Sequence, residues 1–126
     1  MNKIIFTEKA PRPIGPYSQA VDAINTLYVS GQIPINPKTG KLIEGDIRKQ
    51  TELVMKNIGA ILEAAGYDYT DVVKSTCLLS DMDNFAAMNE VYGAYYPTNS
   101  PARVAYQVCK LPLGALIEIE TIAVKR

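Results

Sequence analysis

A two-layer α+β fold, with a mixed β-sheet carrying two helices on one face, follows from three features of the sequence. Its 126 residues suit a single domain spanning residues 1–126, long enough to remove roughly two thirds of its unfolded surface from water. Short runs rich in Val, Ile and Tyr alternate with two stretches of helical period, in the order β, β, β, α, β, α, β, β. Strand-helix-strand connections of this length bring both helices to the same side of the sheet. The other face is then without cover of its own, and a second copy of the chain is the expected partner for it.

Each element rests on local chemistry. Lys3 to Thr7 contains the β-type run Ile4-Ile5-Phe6 and stops at a segment with Pro11, Pro13, Gly15 and Pro16, which forbids helix and sets an extended loop. Tyr17 to Ile24 and Leu27 to Gly31 predict two strands joined by a turn in the Asp22 to Asn25 region. Gln32 to Gly45 reads as loop and turns. Asp46 suits an N-cap, and Ile47, Thr51, Val54, Ile58, Ile61, Leu62 and Ala65 mark the buried face of a helix ending at Gly66. Asp71 to Ser80 reads as a central strand. A second helix caps at Asp81 or Asp83, buries Phe85, Met88, Val91 or Tyr92, and Tyr95, and ends before Pro97. Ser100 to Arg126 predicts a strand, a Pro/Gly turn and a second strand, read as a hairpin that closes the chain.

Composition excludes much chemistry. There is no histidine, which removes Ser-His-Asp and Cys-His catalysis, histidine acid/base work and most zinc sites. Lys plus Arg and Asp plus Glu are 13 each, without the basic excess that nucleic acid or an anionic membrane selects. Cys77 and Cys109 each sit in an apolar run and form no C-x-x-C pair, so two buried thiols in a reducing compartment are expected. The N-terminal run M-N-K-I-I-F-T-E-K has too short an apolar core for a signal peptide, and no run reaches membrane-spanning length, so a cytoplasmic location is expected. Glycine-rich phosphate loops are missing, and no nucleotide cofactor is indicated.

The closing strands carry the charges that need explaining, because taking an ion out of water costs several kcal/mol (about) unless it is paired or holds a ligand. Alternation puts Arg103, Ala105, Gln107 and Cys109 on one face, and Glu118 and Glu120 on one face of the last strand with Leu116, Ile122 and Val124. A hairpin register that aligned these faces would make either an internal ion pair, Arg103 with Glu118 or Glu120, or a ligand site in which the guanidinium fork meets a carboxylate. Lys74 and Lys110 read as solvated amines. Tyr17, Ser30 and Asn89 are polar residues at element edges, equally suited to turn packing, local backbone bonding and a solvated helix face.

Several long motifs, in order and over essentially the whole chain, resemble the RidA (YjgF/YER057c/UK114) family: I-G-P-Y-S-Q-A-V from Ile14, S-G-Q-I-P-x-N-P-x-T-G from Ser30, I-L-E-A-A-G from Ile61, M-N-E-V-Y from Met88, P-A-R from Pro101 and L-P-x-G-A-x-x-E-I-E-x-I-A from Leu111. The resemblance implies a chorismate-mutase-like fold of the Bacillus type and a homotrimer with clefts between subunits. It implies cofactor-free hydrolysis of 2-imino acids, such as 2-iminobutanoate and 2-iminopropanoate, to 2-oxo acids and ammonia, with a functional link to the pyridoxal-phosphate dehydratases that release them. By the same resemblance Arg103 clamps the substrate carboxylate, Glu118 serves the water, and Tyr17, Ser30, Gly31 and Asn89 line the pocket, with no metal. Many members carry a cysteine two residues after the P-A-R arginine. Here that position is Ala105, so no activity of this chain requires a thiol there, although the backbone N–H remains available to a carboxylate. A trimer that only binds a small carboxylate is the alternative, and a ribonuclease or translation inhibitor, as some relatives have been described, fits the neutral charge poorly.

Overall fold

Burial alternates residue by residue along the last strand, β6 (Ile117–Val124): Ile117, Ile119, Thr121 and Ala123 are buried, while Glu118, Glu120, Ile122 and Val124 face the other way. A strand with one fully covered face belongs at the centre of a sheet. In the computed structural model, which describes residues 2–126, β6 lies between β3 (Thr26–Gln32) and β4 (Val72–Leu79) and pairs antiparallel with both. With β1 (Lys3–Ile5), β2 (Ala20–Ala23) and β5 (Ala102–Gln107), these strands form one sheet in the order β1-β2-β3-β6-β4-β5. Only β4 and β5 run parallel, so the sheet is mixed. The helices α1 (Ile47–Ala64) and α2 (Phe85–Ala94) pack on one face, where Val54, Met55, Ile58, Ile61, Leu62, Met88 and Tyr92 join the strand residues in a single core.

The closing hairpin is therefore corrected. β5 and β6 are consecutive but do not pair, because β4 lies between them. β5 is reached from β4 through α2, and a strand-helix-strand unit sets its two strands parallel and side by side. Its outward residues are exposed, which suits an edge, whereas β6 has a buried face that an edge would waste.

The helix boundaries follow the expected capping chemistry. The Asp46 carboxylate accepts from the Lys49 N–H at 3.0 Å, and Gly66, at φ +81°, ends α1 with Tyr67 N–H bonded to the Leu62 carbonyl and Gly66 N–H to that of Glu63. The second helix differs in detail. Asp81 caps a short 3₁₀ turn at Met82–Asn84, and the N-cap of α2 is Asn84, so Asp83 caps neither. β2 begins at Ala20 rather than Tyr17, because the preceding residues serve the proline-rich loop. The tight turn to β3 places Ile24 and Asn25 at φ +46° and +65°, a type I′ arrangement that normally takes Asn-Gly.

Among the described residues no helix covers the other face of the sheet. Tyr28, Val104 and Tyr106 are each about half exposed there, beside Ile122 and Leu78. No helix is long and apolar enough to cross a membrane among the described residues.

Candidate functional site

Two structures on opposite faces of the sheet carry the expected site residues. The first is a cavity of about 410 Å³ between the proline-rich loop and the adjoining ends of β3 and β6. The loop is held by one buried amide. Gln19 donates to the carbonyls of Thr7 (2.9 Å), Ala10 (3.3 Å) and Pro11 (2.9 Å), and its oxygen accepts from the Thr7 N–H at 2.7 Å. Four bonds from one side chain replace the strand pairing that this segment lacks. Tyr17, Ser30, Gly31, Glu118 and Glu120 line the cavity.

The ladder between β3 and β6 shifts register between Val29 and Gln32, so Ser30 and Gly31 together oppose the single residue Glu120 in an irregular segment, with Glu118 next on the same face of β6. Glu118 lies directly over Gly31. A Cβ built at Gly31 would come within 3.0 Å of the Glu118 Cδ and 3.2 Å of its Cγ, and closer still to Oε2, so the carboxylate occupies space that only glycine leaves open. Among the described residues Glu118 makes no hydrogen bond or ion pair. Burial holds its pKa above the ordinary glutamate value, and the Glu120 charge adds to the shift. An unpartnered, half-buried carboxylate with raised affinity for a proton is suited to accept one from water.

The remaining polar residues complete the wall. The Ser30 hydroxyl donates to the Ser18 carbonyl at 2.5 Å, leaving its lone pairs for a ligand. The Tyr17 hydroxyl accepts from the Ile14 N–H at 3.3 Å, and its own proton is uncommitted.

The second structure surrounds Arg103. Ser75 pairs with both Arg103 and Thr121, while Thr76 pairs with Val104 and Glu120, and Leu78 with Tyr106 and Glu118. Paired residues project to the same side. Arg103 therefore lies on the helix-covered face with buried Ser75 and Thr121, and both glutamates lie on the open face. The internal ion pair of Arg103 with Glu118 or Glu120 is excluded by this register, as is a one-chain site that uses both.

Arg103 is held by α2 instead. Its Nη1 donates to the Asn89 Oδ1 at 2.7 Å, and its Cζ stands 5.2 Å from the Tyr92 ring centre and 5.4 Å from that of Phe85. A guanidinium oriented by two rings and one amide keeps most of its N–H donors for an incoming carboxylate. Ala105 follows on the same face, paired with Cys77. Burial pushes the Cys77 thiol up to about 11, and the Arg103 charge only partly offsets it, so this cysteine is no nucleophile. Cys109 is exposed, not buried as expected, because β5 ends at Gln107 and the thiol falls in the following loop.

Beneath Arg103 the hydroxyls of Tyr92 and Tyr96 are buried without a hydrogen-bond partner among the described residues. Burial raises the pKa of both, and the nearby Ser75 hydroxyl, which is not in bonding geometry, opposes that shift. Periodicity marked Tyr92 and Phe85 as core only, and their second task of holding Arg103 has no sequence signature. Gln19 carries only a weak sequence signal, an amide next to the apolar Ala20-Val21.

Residues 7–125 match the family model described as endoribonuclease L-PSP. The chain belongs to this family. It is 59% identical over 125 residues to a RutC family protein of Pyrococcus horikoshii, covering 99% of each chain. It is 49% identical over 125 residues to the human protein named 2-iminobutanoate/2-iminopropanoate deaminase, covering 99% of this chain and 91% of that one. The solved structure of a Rid-family protein of Yersinia pestis superposes with a TM-score of 0.96 at 48% identity, over 99% of this chain and all (100%) of that one. These relationships agree with the resemblance carried by the motifs, and with the α+β architecture it implied.

Proposed function

We propose that the protein is a cofactor-free deaminase of small 2-imino acids, acting at a cleft that two copies of the chain build together. The observation that carries this reading is the division of labour across the sheet: a carboxylate clamp, Arg103, on one face, and an unpartnered carboxylate, Glu118, on the other. Each half is prepared for a ligand, and neither completes a site alone. The cavity around Glu118 sets two carboxylates against one lining cation, Arg12, which is itself paired with Glu8, so an anionic substrate needs a further cation to be held there. Arg103 on the edge strand of a second copy supplies that cation, and the uncovered apolar face of the sheet supplies the surface on which copies meet. A homotrimer, as the family resemblance implies, closes such head-to-tail contacts into a ring.

The chemistry asks little more. Arg103 takes the substrate carboxylate in two parallel hydrogen bonds and fixes C2 of the imine. Glu118 accepts a proton from water as the water oxygen bonds to C2 and the C=N π pair moves to nitrogen. With the imine entering protonated at nitrogen, this gives a neutral carbinolamine, which then collapses. Glu118 returns its proton to nitrogen, the C–N bond breaks to release ammonia, and the hydroxyl proton passes to Glu118 as that oxygen forms the carbonyl, to leave with ammonia as ammonium. Ser30 and Tyr17 are placed to bond the polar groups of the intermediate. The suppliers of such substrates are pyridoxal-phosphate dehydratases acting on serine and threonine, in the cytoplasm.

The test adds the purified protein to threonine dehydratase and threonine, with semicarbazide present to capture free imine. Faster appearance of 2-oxobutanoate and less captured imine are expected, and Arg103→Ala abolishes both effects. No acceleration while the imine is present refutes the deaminase, and tight 2-oxobutanoate binding without turnover would point to a binding trimer instead.

A further inference from the structure

In the single chain, before a second copy brings Arg103 to it, the cavity around Glu118 is larger than a four-carbon 2-imino acid needs. At about 410 Å³ it falls within the roughly 300–1,000 Å³ typical of sites for much larger ligands. Beyond the two glutamates its walls include Ile14, Ile33, Ile35 and Pro112, and its one cationic lining residue among those described is Arg12. Neither Arg103 nor Glu118 uses this part of the site.

We infer that Arg12 is a specificity-determining residue that binds a distal anionic group, so that the site accepts 2-imino acids with a second carboxylate at the end of the side chain. The inference rests on the deaminase reading of this cavity. Arg12 stands between Pro11 and Pro13, whose rings fix their own φ angles. The carbonyls of Ala10 and Pro11 on its N-terminal side are bonded to buried Gln19. The backbone that carries Arg12 is therefore rigid relative to the cavity.

The side chain rests on Glu8 and Phe6, which lie outside the cavity lining, and is not used up. Its Nη2 lies 3.2 Å from the Glu8 Oε1, and its Cζ stands 5.3 Å from the Phe6 ring centre. With Arg12 and Glu8 side chains 73% and 80% exposed, that ion pair is readily exchanged for another. The remaining guanidinium N–H groups are free for a carboxylate. Electrostatics favours the same assignment. A dianion entering a cavity with two glutamates needs a cation at each end, and Arg103 of a neighbouring copy at one end with Arg12 at the other meets that need.

The test compares 2-iminoglutarate, generated by L-glutamate oxidase, with 2-iminobutanoate, generated by threonine dehydratase, as substrates of the wild-type protein and of Arg12→Gln and Arg12→Lys. In Arg12→Gln the ratio of kcat/KM for the dicarboxylate to that for the monocarboxylate should fall about tenfold, mainly through KM, as expected for one lost charge-assisted pair. Arg12→Lys should restore part of it. An unchanged ratio, or a wild type that hydrolyses 2-iminobutanoate but not 2-iminoglutarate, overturns the inference. Calorimetry with 2-oxoglutarate and 2-oxobutanoate separates it from the deaminase reading. If neither imine is turned over, deamination fails, but tighter binding of 2-oxoglutarate that Arg12→Gln removes still supports Arg12. Equal binding of the two oxo acids refutes it.

Discussion

Two inactive variants should restore each other's activity if the site is built from two copies. Arg103→Ala removes the clamp and leaves Glu118 intact, and Glu118→Gln does the reverse. The register of β4 with its two neighbours puts Arg103 and Glu118 on opposite faces of the same sheet, so the proposed site takes one residue from each of two chains. When equal amounts of the variants are unfolded together and refolded, a given cleft takes its arginine from a Glu118→Gln chain about half the time and its glutamate from an Arg103→Ala chain about half the time. Random assembly then makes about one quarter of the clefts fully native. The imine-capture assay should read about a quarter of wild-type activity in the co-refolded mixture, and parental background when the variants are refolded apart and then combined. Activity that stays at background after co-refolding, with mixed oligomers demonstrated by two affinity tags, would refute the two-copy site.

The remaining predictions address the local geometry. Gly31→Ala should lower kcat/KM by about a hundredfold with a change in Tm of only a few degrees (about): the new Cβ forces the Glu118 carboxylate aside, misplacement near 1 Å costs on that scale, and the displaced atoms end a flexible side chain. Near-wild-type activity would show that the position of Glu118 over Gly31 is immaterial. Glu118→Gln should raise Tm at neutral pH. Because burial raises the folded-state pKa, the native protein holds the proton more tightly than the unfolded chain, so the carboxylate lowers stability as pH rises through the folded pKa. The advantage of glutamine should vanish below the unfolded glutamate pKa of about 4.3, and a difference that persists there would contradict the assignment. The same shift puts the acid limb of the activity profile above the ordinary glutamate value. Ile24→Asn should stabilise the protein by about 1 kcal/mol, since Ile24 is 81% exposed at φ +46°, where a β-branched residue is strained and asparagine is accepted. A gain of about 3–5 °C in Tm is expected, and a loss would mean that Ile24 makes a contact in the assembled oligomer.

Residues whose role depends on near neighbours in the chain were legible. Asp46 and Gly66 bound the first helix where capping chemistry puts them, and the apolar faces of α1 and β6 follow their periods. The motifs named the proposed site residues one by one, but not their arrangement. Tyr17, Ser30, Gly31 and Glu118 do share one cavity, and Asn89 does hold Arg103, at 2.7 Å. What failed was adjacency: two consecutive strands joined by a Pro/Gly turn read as a hairpin, yet β4 separates them. Buried amides were overlooked for a related reason. Gln19, Gln50 and Asn57 bond the backbones of Thr7, Leu116 and Ile35 across the fold, and a count of apolar periodicity gives such residues no weight.

By itself, the sequence determined the elements, the two-layer class and the chemistry left open to a chain without histidine, because these depend on composition, period and local caps. Only the tertiary structure decided on which side of the sheet each charge stands. Strand parity gives the alternation within each strand, but the relation between β5 and β6 passes through β4 and its register with both, which are long-range pairings that no local pattern encodes. That register sets Arg103 and Glu118 on opposite faces of the sheet, so the ion pair that alternation allowed does not form within one chain.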